Sequence, residues 1–192
     1  VVVNSVAMRL ANITQKTPTP PAGVIERDTL GHPTGTLRES AMEIVERHVP
    51  PETFEARMAT MQAALSEMNR YGITSAFDAW VGSDDVAVYR QLDNNNKLTV
   101  KIRAALAYGY GDLFTLDSPE DYKRISKQRD VLSTKRFTLG AVKLFVDGVL
   151  EGETAALLPP YIDSEGNDDH LTYEQTSLNK IVSGLVKDGI QV

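Results

Sequence analysis

Lys143 is the residue with the clearest chemical potential, because it lies in the apolar segment GAVKLFVDG at residues 140–148. Side chains of a β-strand alternate between its two faces, so the segment predicts Lys143, Phe145 and Asp147 on one face. Val142 and its neighbours make the other face apolar too, which is typical of a parallel sheet covered on both faces. A lysine there must reach water, pair with an anion or lose its proton.

Loss of the proton opens a specific chemistry for Lys143. A neutral amine reacts with carbon dioxide to form a carbamate, and a carbamate binds metal ions. The alternative is a lysine whose side chain extends to solvent from an edge strand.

Two aspartates are predicted near the ends of strands, where βα barrels place their active sites. Asp78 lies at the end of a strand predicted over residues 73–80, and Asp147 ends the strand of Lys143. One interpretation is a different α/β enzyme in which they act as a paired acid and base. The alternatives are a capping or turn role for Asp78 and an Asp-Gly turn for Asp147.

Three further residues are candidates for the wall of a pocket. Glu151 and Thr154 follow the Lys143 strand directly, and loops after barrel strands form that wall. Glu39 is the third candidate, and a solvated loop is the alternative for each. The catalytic residues themselves are not identified by any motif.

The common catalytic and metal-binding motifs are absent from the sequence. No two of its three histidines, His32, His48 and His170, are separated by the spacing of a metal-binding pair. No glycine-rich phosphate loop, nucleophile elbow or calcium loop is present.

Composition excludes several classes of function. The chain has 192 residues, 42% of them hydrophobic, a net charge of −6 and no cysteine. An acidic chain has no electrostatic footprint for nucleic acid or an anionic membrane. Without cysteine there are no disulfides or thiolate metal sites, and we expect a cytoplasmic protein.

Helical and strand patterns alternate along most of the chain. The predicted elements are a helix around 5–10, a hairpin at 24–37, helices at 38–49, 51–71, 83–93, 118–132 and 172–188, strands at 73–80, 98–108 and around Lys143, a strand starting at 190, and loops at 109–117 and 151–169. Alternation of this kind predicts parallel strands. A doubly wound sheet and part of an eight-stranded βα barrel both fit the pattern.

Several phrases, read in order, resemble amidohydrolase family 3, a branch of the metal-dependent amidohydrolase superfamily. They are VNSVAMRLA at 3–11, GVIERD at 23–28, PTGTLRE at 33–39, YGITSAFDA at 71–79, VKLFVDGVLEG at 142–152 and TAALLPPY at 154–161. The resemblance covers nearly the whole chain, and the order and spacing of the phrases make it specific.

The resemblance implies an α/β fold of the (β/α) TIM-like barrel type with a binuclear metal centre, often zinc. It implies hydrolysis of C–N bonds in small amide-type substrates. Lys143 would be carboxylated and would bridge the two metals. On this basis we expect a small excursion at 1–50 packed on the barrel and consecutive βα units of an incomplete barrel at 51–192.

The sequence also departs from the family. The His-x-His of the family's first strand is absent, and the histidine of its fifth strand would fall just past Val192. We therefore expect a central fragment of the catalytic domain that is inactive alone and holds no metal tightly. The alternative is a non-catalytic α/β module that packs or oligomerises through exposed strand edges.

Overall fold

The computed structural model of the protein describes residues 1–21, 23–108, 119–159, 161–162 and 171–192, with the side chains of 119–124 excepted. The chain divides into two compact units, Val1–Glu52 and Thr53–Val192. The predicted loop at 109–117 lies outside the described residues. So do residues 160 and 163–169 of the loop predicted at 151–169.

The first unit is a short helix and a hairpin. Helix α1, Ser5–Leu10, begins after Asn4, whose side chain accepts hydrogen bonds from two backbone N–H groups. Strands β1, Gly23–Arg27, and β2, Pro33–Glu39, pair antiparallel. Asp28 closes the connection between the two strands. Hydrogen bonds from the backbone N–H groups of His32 and Leu30 lower the pKa of its carboxyl group.

The end of the first unit differs from the sequence prediction. The helix predicted over residues 38–49 is wrong in its extent, because strand β2 continues to Glu39. A 3₁₀ turn, Ser40–Met42, and one short helix, α2, Glu43–Glu46, follow. Pairing of Arg38 and Glu39 with β1 competes for the backbone groups that the helix would use.

The second unit alternates helices with parallel strands. Its elements are helix α3 (Phe54–Arg70), strand β3 (Ser75–Val81), helix α4 (Ser83–Asn94), strand β4 (Lys101–Ala107), helix α5 (Pro119–Leu132), strand β5 (Phe137–Lys143), a 3₁₀ turn (Leu150–Gly152) and helix α6 (Gln175–Lys187). Helix α3 begins later than predicted, because the Thr53 hydroxyl caps it at 3.1 Å from the Ala56 N–H. Within the described ranges, none of the helices is long and apolar enough to cross a membrane.

The three strands form one sheet in the order β3-β4-β5, and both pairs are parallel. After α6 the chain returns to the sheet, where Ala141 of β5 pairs in parallel with Gln191. The Val142 N–H donates to the Gln191 carbonyl at 2.8 Å. The alternation predicted a parallel sheet, and that prediction is confirmed.

One face of the sheet carries the hydrophobic core. Ile102, Ala104 and Leu106 of β4 are buried there together with residues of the helices. The buried side predicted for α4 is correct, since Val86, Val88, Tyr89 and Leu92 are all at most 4% exposed. The ring of Phe137, at the start of β5, stacks on Tyr89 with centroids 5.1 Å apart.

We expect Phe137→Ala to lower the free energy of unfolding by about 3–5 kcal/mol, because the ring is fully buried and its loss leaves a cavity. Urea denaturation followed by circular dichroism measures the change. Phe54→Ala is the matched control, since Phe54 is 43% exposed and its removal should change stability by less than about 1 kcal/mol. Equal losses in the two variants would show that the core is not where we place it.

Candidate functional site at the carboxyl ends of the strands

We call the face of the sheet opposite the helices the open face, because it is accessible near the amino ends of the strands, whereas its alanines nearer the carboxyl ends, Ala105, Ala107 and Ala141, are buried. Arg103 and Thr138 are exposed on it, and Phe77 is 50% exposed. The sequence predicted that the strand of Lys143 is apolar on both faces, and β5 agrees over residues 139–142, which are all buried, but not at Thr138, which is exposed. Parallel α/β folds bind their ligands at the carboxyl ends of the strands, and the half-buried Lys143 lies on this face at that edge.

An extra residue in β5 turns Lys143 toward the open face. Ala104 pairs with Leu139, but the next residue, Ala105, pairs with Ala141, so Gly140 is a one-residue bulge. Leu139 and Val142 both pack in the core, although they are three residues apart. Without the extra residue, Lys143 would fall on the side of Leu139 and face the helices, because one residue of slip exchanges the faces.

Glycine is suited to this bulge because Arg103 lies against it. The Arg103 guanidinium donates to the Gly140 carbonyl at 3.3 Å. A Cβ atom at position 140 would come within 2.9 Å of Arg103 Nε, so the guanidinium would have to move away to admit it. An isolated glycine in a strand pattern is a known sign of a bulge, so the sequence held a signal that the first interpretation missed.

Lys143 is half-buried at the very end of β5. The predicted strand through Asp147 is too long, because the neighbouring β4 ends at Ala107, the register partner of Lys143. The side chain nevertheless lies beside Phe145, as the alternation predicted, with Nζ 5.0 Å from the ring centroid. The Tyr108 N–H donates to the Lys143 carbonyl at 2.9 Å and closes the ladder.

A second bulge, in β3, brings Trp80 to the same place. Asp78 pairs with Ala104 and Val81 with Leu106, so β3 also carries one extra residue. Asp78 Oδ1 accepts a hydrogen bond from the Trp80 N–H at 3.2 Å, within the bulge. The Trp80 ring lies against Phe145, with centroids 4.7 Å apart and planes inclined by 53°. The sequence analysis did not identify Trp80 as part of a site.

Asp78 faces the helices and not the open face. The Tyr89 hydroxyl of α4 donates to Asp78 Oδ2 at 2.8 Å. Burial, the hydrogen bond to Asp78 and the negative charge of that carboxylate all raise the pKa of Tyr89. Asp78 lies inside the strand, so the alternative in which it caps a helix is wrong, and its role as a site residue stays a prediction.

The segment after Lys143 folds into a compact loop. Asp147 Oδ2 accepts from the Ala156 N–H at 3.2 Å. The Thr154 hydroxyl accepts from the Val149 N–H at 3.0 Å, and its oxygen atoms lie where a side chain at Gly148 would have to be. Asp147 and Thr154 are thus brought together across the loop, and the predicted Asp-Gly segment lies at its start.

The other two candidate residues are exposed. Glu151 lies in the 3₁₀ turn of this loop. Glu39 is the last residue of β2 in the first unit, where its φ angle of 47° is unusual for a residue other than glycine. Each stays a prediction as a pocket residue.

The described residues do not form a metal site by themselves. Among the residues that the structure describes, no three histidine, cysteine, aspartate or glutamate side chains are grouped to hold a metal ion. Asp78 is engaged by Tyr89, and Asp147 by the loop backbone. A carbamate on Lys143 would therefore be a single ligand, and the residues present do not fit a metal centre without others.

Comparison with known proteins identifies the family. The model of the amidohydrolase family matches residues 1–192, the whole chain. The chain belongs to the amidohydrolase family. The resemblance found in the sequence is confirmed at this level.

The relatives of this chain are longer than the chain itself. It is 28% identical over 194 residues to the protein named "Putative amidohydrolase YtcJ" of Bacillus subtilis, covering 100% of the chain and 35% of that protein. It is 27% identical over 150 residues to the N-substituted formamide deformylase of Arthrobacter pascens, covering 75% of the chain and 27% of the deformylase. The chain thus spans about a third of the length of these curated relatives.

A solved structure has the same fold over the matched part. The chain superposes with a TM-score of 0.62 and 22% identity on the crystal structure of an uncharacterized metal-dependent hydrolase from Pyrococcus furiosus. The match covers 98% of the chain and 36% of that hydrolase. At this identity the likeness supports the α/β fold with its parallel sheet.

The Tyr89–Asp78 hydrogen bond should stabilise the fold measurably. We expect Tyr89→Phe to lower the free energy of unfolding at neutral pH by about 1.5–3 kcal/mol, because the carboxylate loses its hydroxyl donor. Urea denaturation measures the loss. Tyr71→Phe is the control, because Tyr71 is 69% exposed and loss of its hydroxyl group should have little effect on stability.

The same variant tests the raised pKa of Tyr89. An unfolded tyrosine ionises near pH 10, so above about pH 10 the unfolded state releases a proton that the folded state keeps. The wild type then loses up to about 1.4 kcal/mol of stability per pH unit from this group. The stability difference between wild type and Tyr89→Phe should therefore shrink between about pH 9 and 11. A constant difference would refute the assignment.

Proposed function

We propose that this chain is part of the catalytic domain of an enzyme that hydrolyses C–N bonds in small, non-peptide amides. In this proposal Lys143 reacts with carbon dioxide and is carboxylated in the full-length protein. Its carbamate is one ligand of a divalent metal centre, with zinc as the metal. The remaining ligands come from other residues.

One observation carries the proposal, namely the direction of Lys143. The Gly140 bulge takes its amine off the helix-facing side of the sheet, where Val142 is packed, and directs it to the open face. This position is the carboxyl edge of a parallel sheet, where βα enzymes do their chemistry. A lysine that only filled space could have stayed on the regular register and extended its stem along the helices.

The sheet is proposed to be part of a barrel. Three parallel strands, plus the pairing of Gln191 beside β5, follow the strand–helix alternation of a βα barrel. Such a barrel would enclose the open face and complete the surroundings of Lys143. Glu151 and Thr154, in the loop after β5, would then line its mouth.

The type of substrate is proposed from the family and one relative. Members of the amidohydrolase family hydrolyse amide-type bonds, and the Arthrobacter pascens relative is named for the deformylation of N-substituted formamides. A paired acid and base at Asp78 and Asp147 is less well supported, because each carboxylate already has a separate structural partner. No reaction step is assigned to either.

The carbamate is tested by chemical rescue. In the full-length protein, Lys143→Ala should lose at least about 100-fold in kcat/KM on an N-substituted formamide, since even outer partners of metal ligands cost about 10–100-fold when removed. Acetate or propionate should restore part of the activity by filling the space of the carbamate. Lys101→Ala, at the amino end of β4, is the matched control and should remain active.

Two results would count against the carbamate. Unchanged activity of Lys143→Ala would remove the lysine from the site. A loss that no carboxylate restores would mean that the lysine acts as an amine.

The isolated 192-residue chain is predicted to be inactive. Over the ranges that the structure describes, no group of three candidate side chains could hold a metal ion, so added zinc should give no turnover above that of zinc in buffer. The measurement is hydrolysis of an N-substituted formamide by the purified chain with and without zinc. Zinc-dependent turnover by the chain alone would show that it holds a complete site.

A further inference from the structure

We propose that Trp80 and Phe145 form an aromatic subsite beside Lys143 that receives an apolar, planar substituent on the substrate's amide nitrogen. The inference rests on the proposed function, because it assigns a substrate class to the site of Lys143. It is carried by the contact between the two rings, one of which comes from the bulge in β3 and the other from the segment that follows β5.

The Trp80 and Phe145 rings form an aromatic wall, and the Lys143 amine lies at one end of it. The Trp80 and Phe145 rings are 4.7 Å apart and inclined by 53°, so they present two surfaces at an angle. Lys143 Nζ lies 5.0 Å from the centroid of the Phe145 ring. A substrate that places its reacting group near Lys143 would therefore bring its substituent against the two rings.

The bulge in β3 places the Trp80 side chain on the open face. There the ring forgoes the free energy that its burial in the core would give. In a regular strand Val81 would lie on the open face, and Trp80 would share the side of Asp78 and face Tyr89 of α4. The extra residue moves it away, and Trp80 is left 47% exposed. A large exposed aromatic side chain at the edge of a site is typical of a ligand contact.

Asp78 and Tyr89 act as positioning residues for this wall. Tyr89 is anchored in the core by stacking on Phe137, and its hydroxyl holds the Asp78 carboxylate. The other oxygen of that carboxylate holds the Trp80 N–H within the bulge. The chain of contacts thus runs from the core to the tryptophan without using any residue of the open face.

The chemistry of the wall favours a flat apolar group. Two aromatic faces offer dispersion contacts and release of water from apolar surface, which an alkyl group as small as methyl exploits poorly. An amide with a phenyl group on nitrogen should therefore bind more tightly than its N-methyl counterpart.

The single tryptophan of the chain makes a direct test possible. Excitation of Trp80 reports on this wall alone, since the sequence contains one tryptophan. Titration of the purified chain, without metal, with acetanilide should give a saturable change in its emission. N-methylacetamide should bind at least tenfold more weakly.

Variants locate the binding. Phe145→Ala should raise the dissociation constant for acetanilide at least fivefold, and Phe145→Leu, which retains apolar volume, should raise it less. Phe54→Ala is the matched control and should stay within twofold, because Phe54 is an exposed phenylalanine at the start of α3. Thermal unfolding of each variant identifies any variant that fails to fold. If Phe145→Ala does not fold, the test is made with Phe145→Leu.

The positioning role of Tyr89 is tested by the emission of Trp80 and by acetanilide binding. Tyr89→Phe should shift the emission maximum of Trp80 and weaken acetanilide at least twofold, whereas Tyr71→Phe should change neither. A quenching response that is linear, or equal for both amides, or unchanged in Phe145→Ala and Phe145→Leu, would overturn the subsite. None of these outcomes depends on the carbamate, so failure here leaves the chemical rescue of Lys143→Ala to decide the proposed function separately.

Discussion

The parallel pairing of β3, β4 and β5 is the constraint on which the candidate site depends. Because all three strands run in the same direction, their carboxyl ends meet at one edge of the sheet. Side chains that are far apart in sequence, such as Trp80 and Lys143, then lie near one aromatic ring, Phe145. Parallel pairing without the two bulges would not bring these side chains there, since Trp80 and Lys143 would then face the helices.

The two bulges reconcile a stable core with an accessible site. The helix-facing side of the sheet is filled by residues such as Leu106, Phe137 and Val142, which are at most 2% exposed. A regular strand would have to place Trp80 and Lys143 in that same layer. One extra residue in β3 and one in β5 turn Val81 and Val142 into the core and place Trp80 and Lys143 on the opposite face.

Much of the fold follows from patterns that are visible in the sequence. Spacing of apolar residues predicted most of the helices of the second unit and the buried side of α4, and alternation of helices and strands predicted the parallel sheet. These properties are local, or they follow from general rules of chain topology. The opposite faces of Lys143 and Val142 were also predicted correctly, because the two residues are adjacent.

The site was harder to predict because it depends on pairing between distant segments. The length of β5 is set by where β4 ends, and the bulges are defined only by the neighbouring strand. For Asp78, the deciding contact is with Tyr89 on the next helix, which no pattern around Asp78 announces. Gly140 was the one local signal, since a glycine within a strand indicates a bulge.

The central proposal is that Lys143 carries a carbamate at the edge of the sheet in the full-length protein. Carbon-13 NMR of that protein, prepared with ¹³C-labelled bicarbonate and a divalent metal, tests it most directly. We expect a carbamate resonance that is present in the wild type and in Lys101→Ala but absent in Lys143→Arg. A wild-type spectrum without that resonance, or one in which Lys143→Arg retains it, would contradict the account.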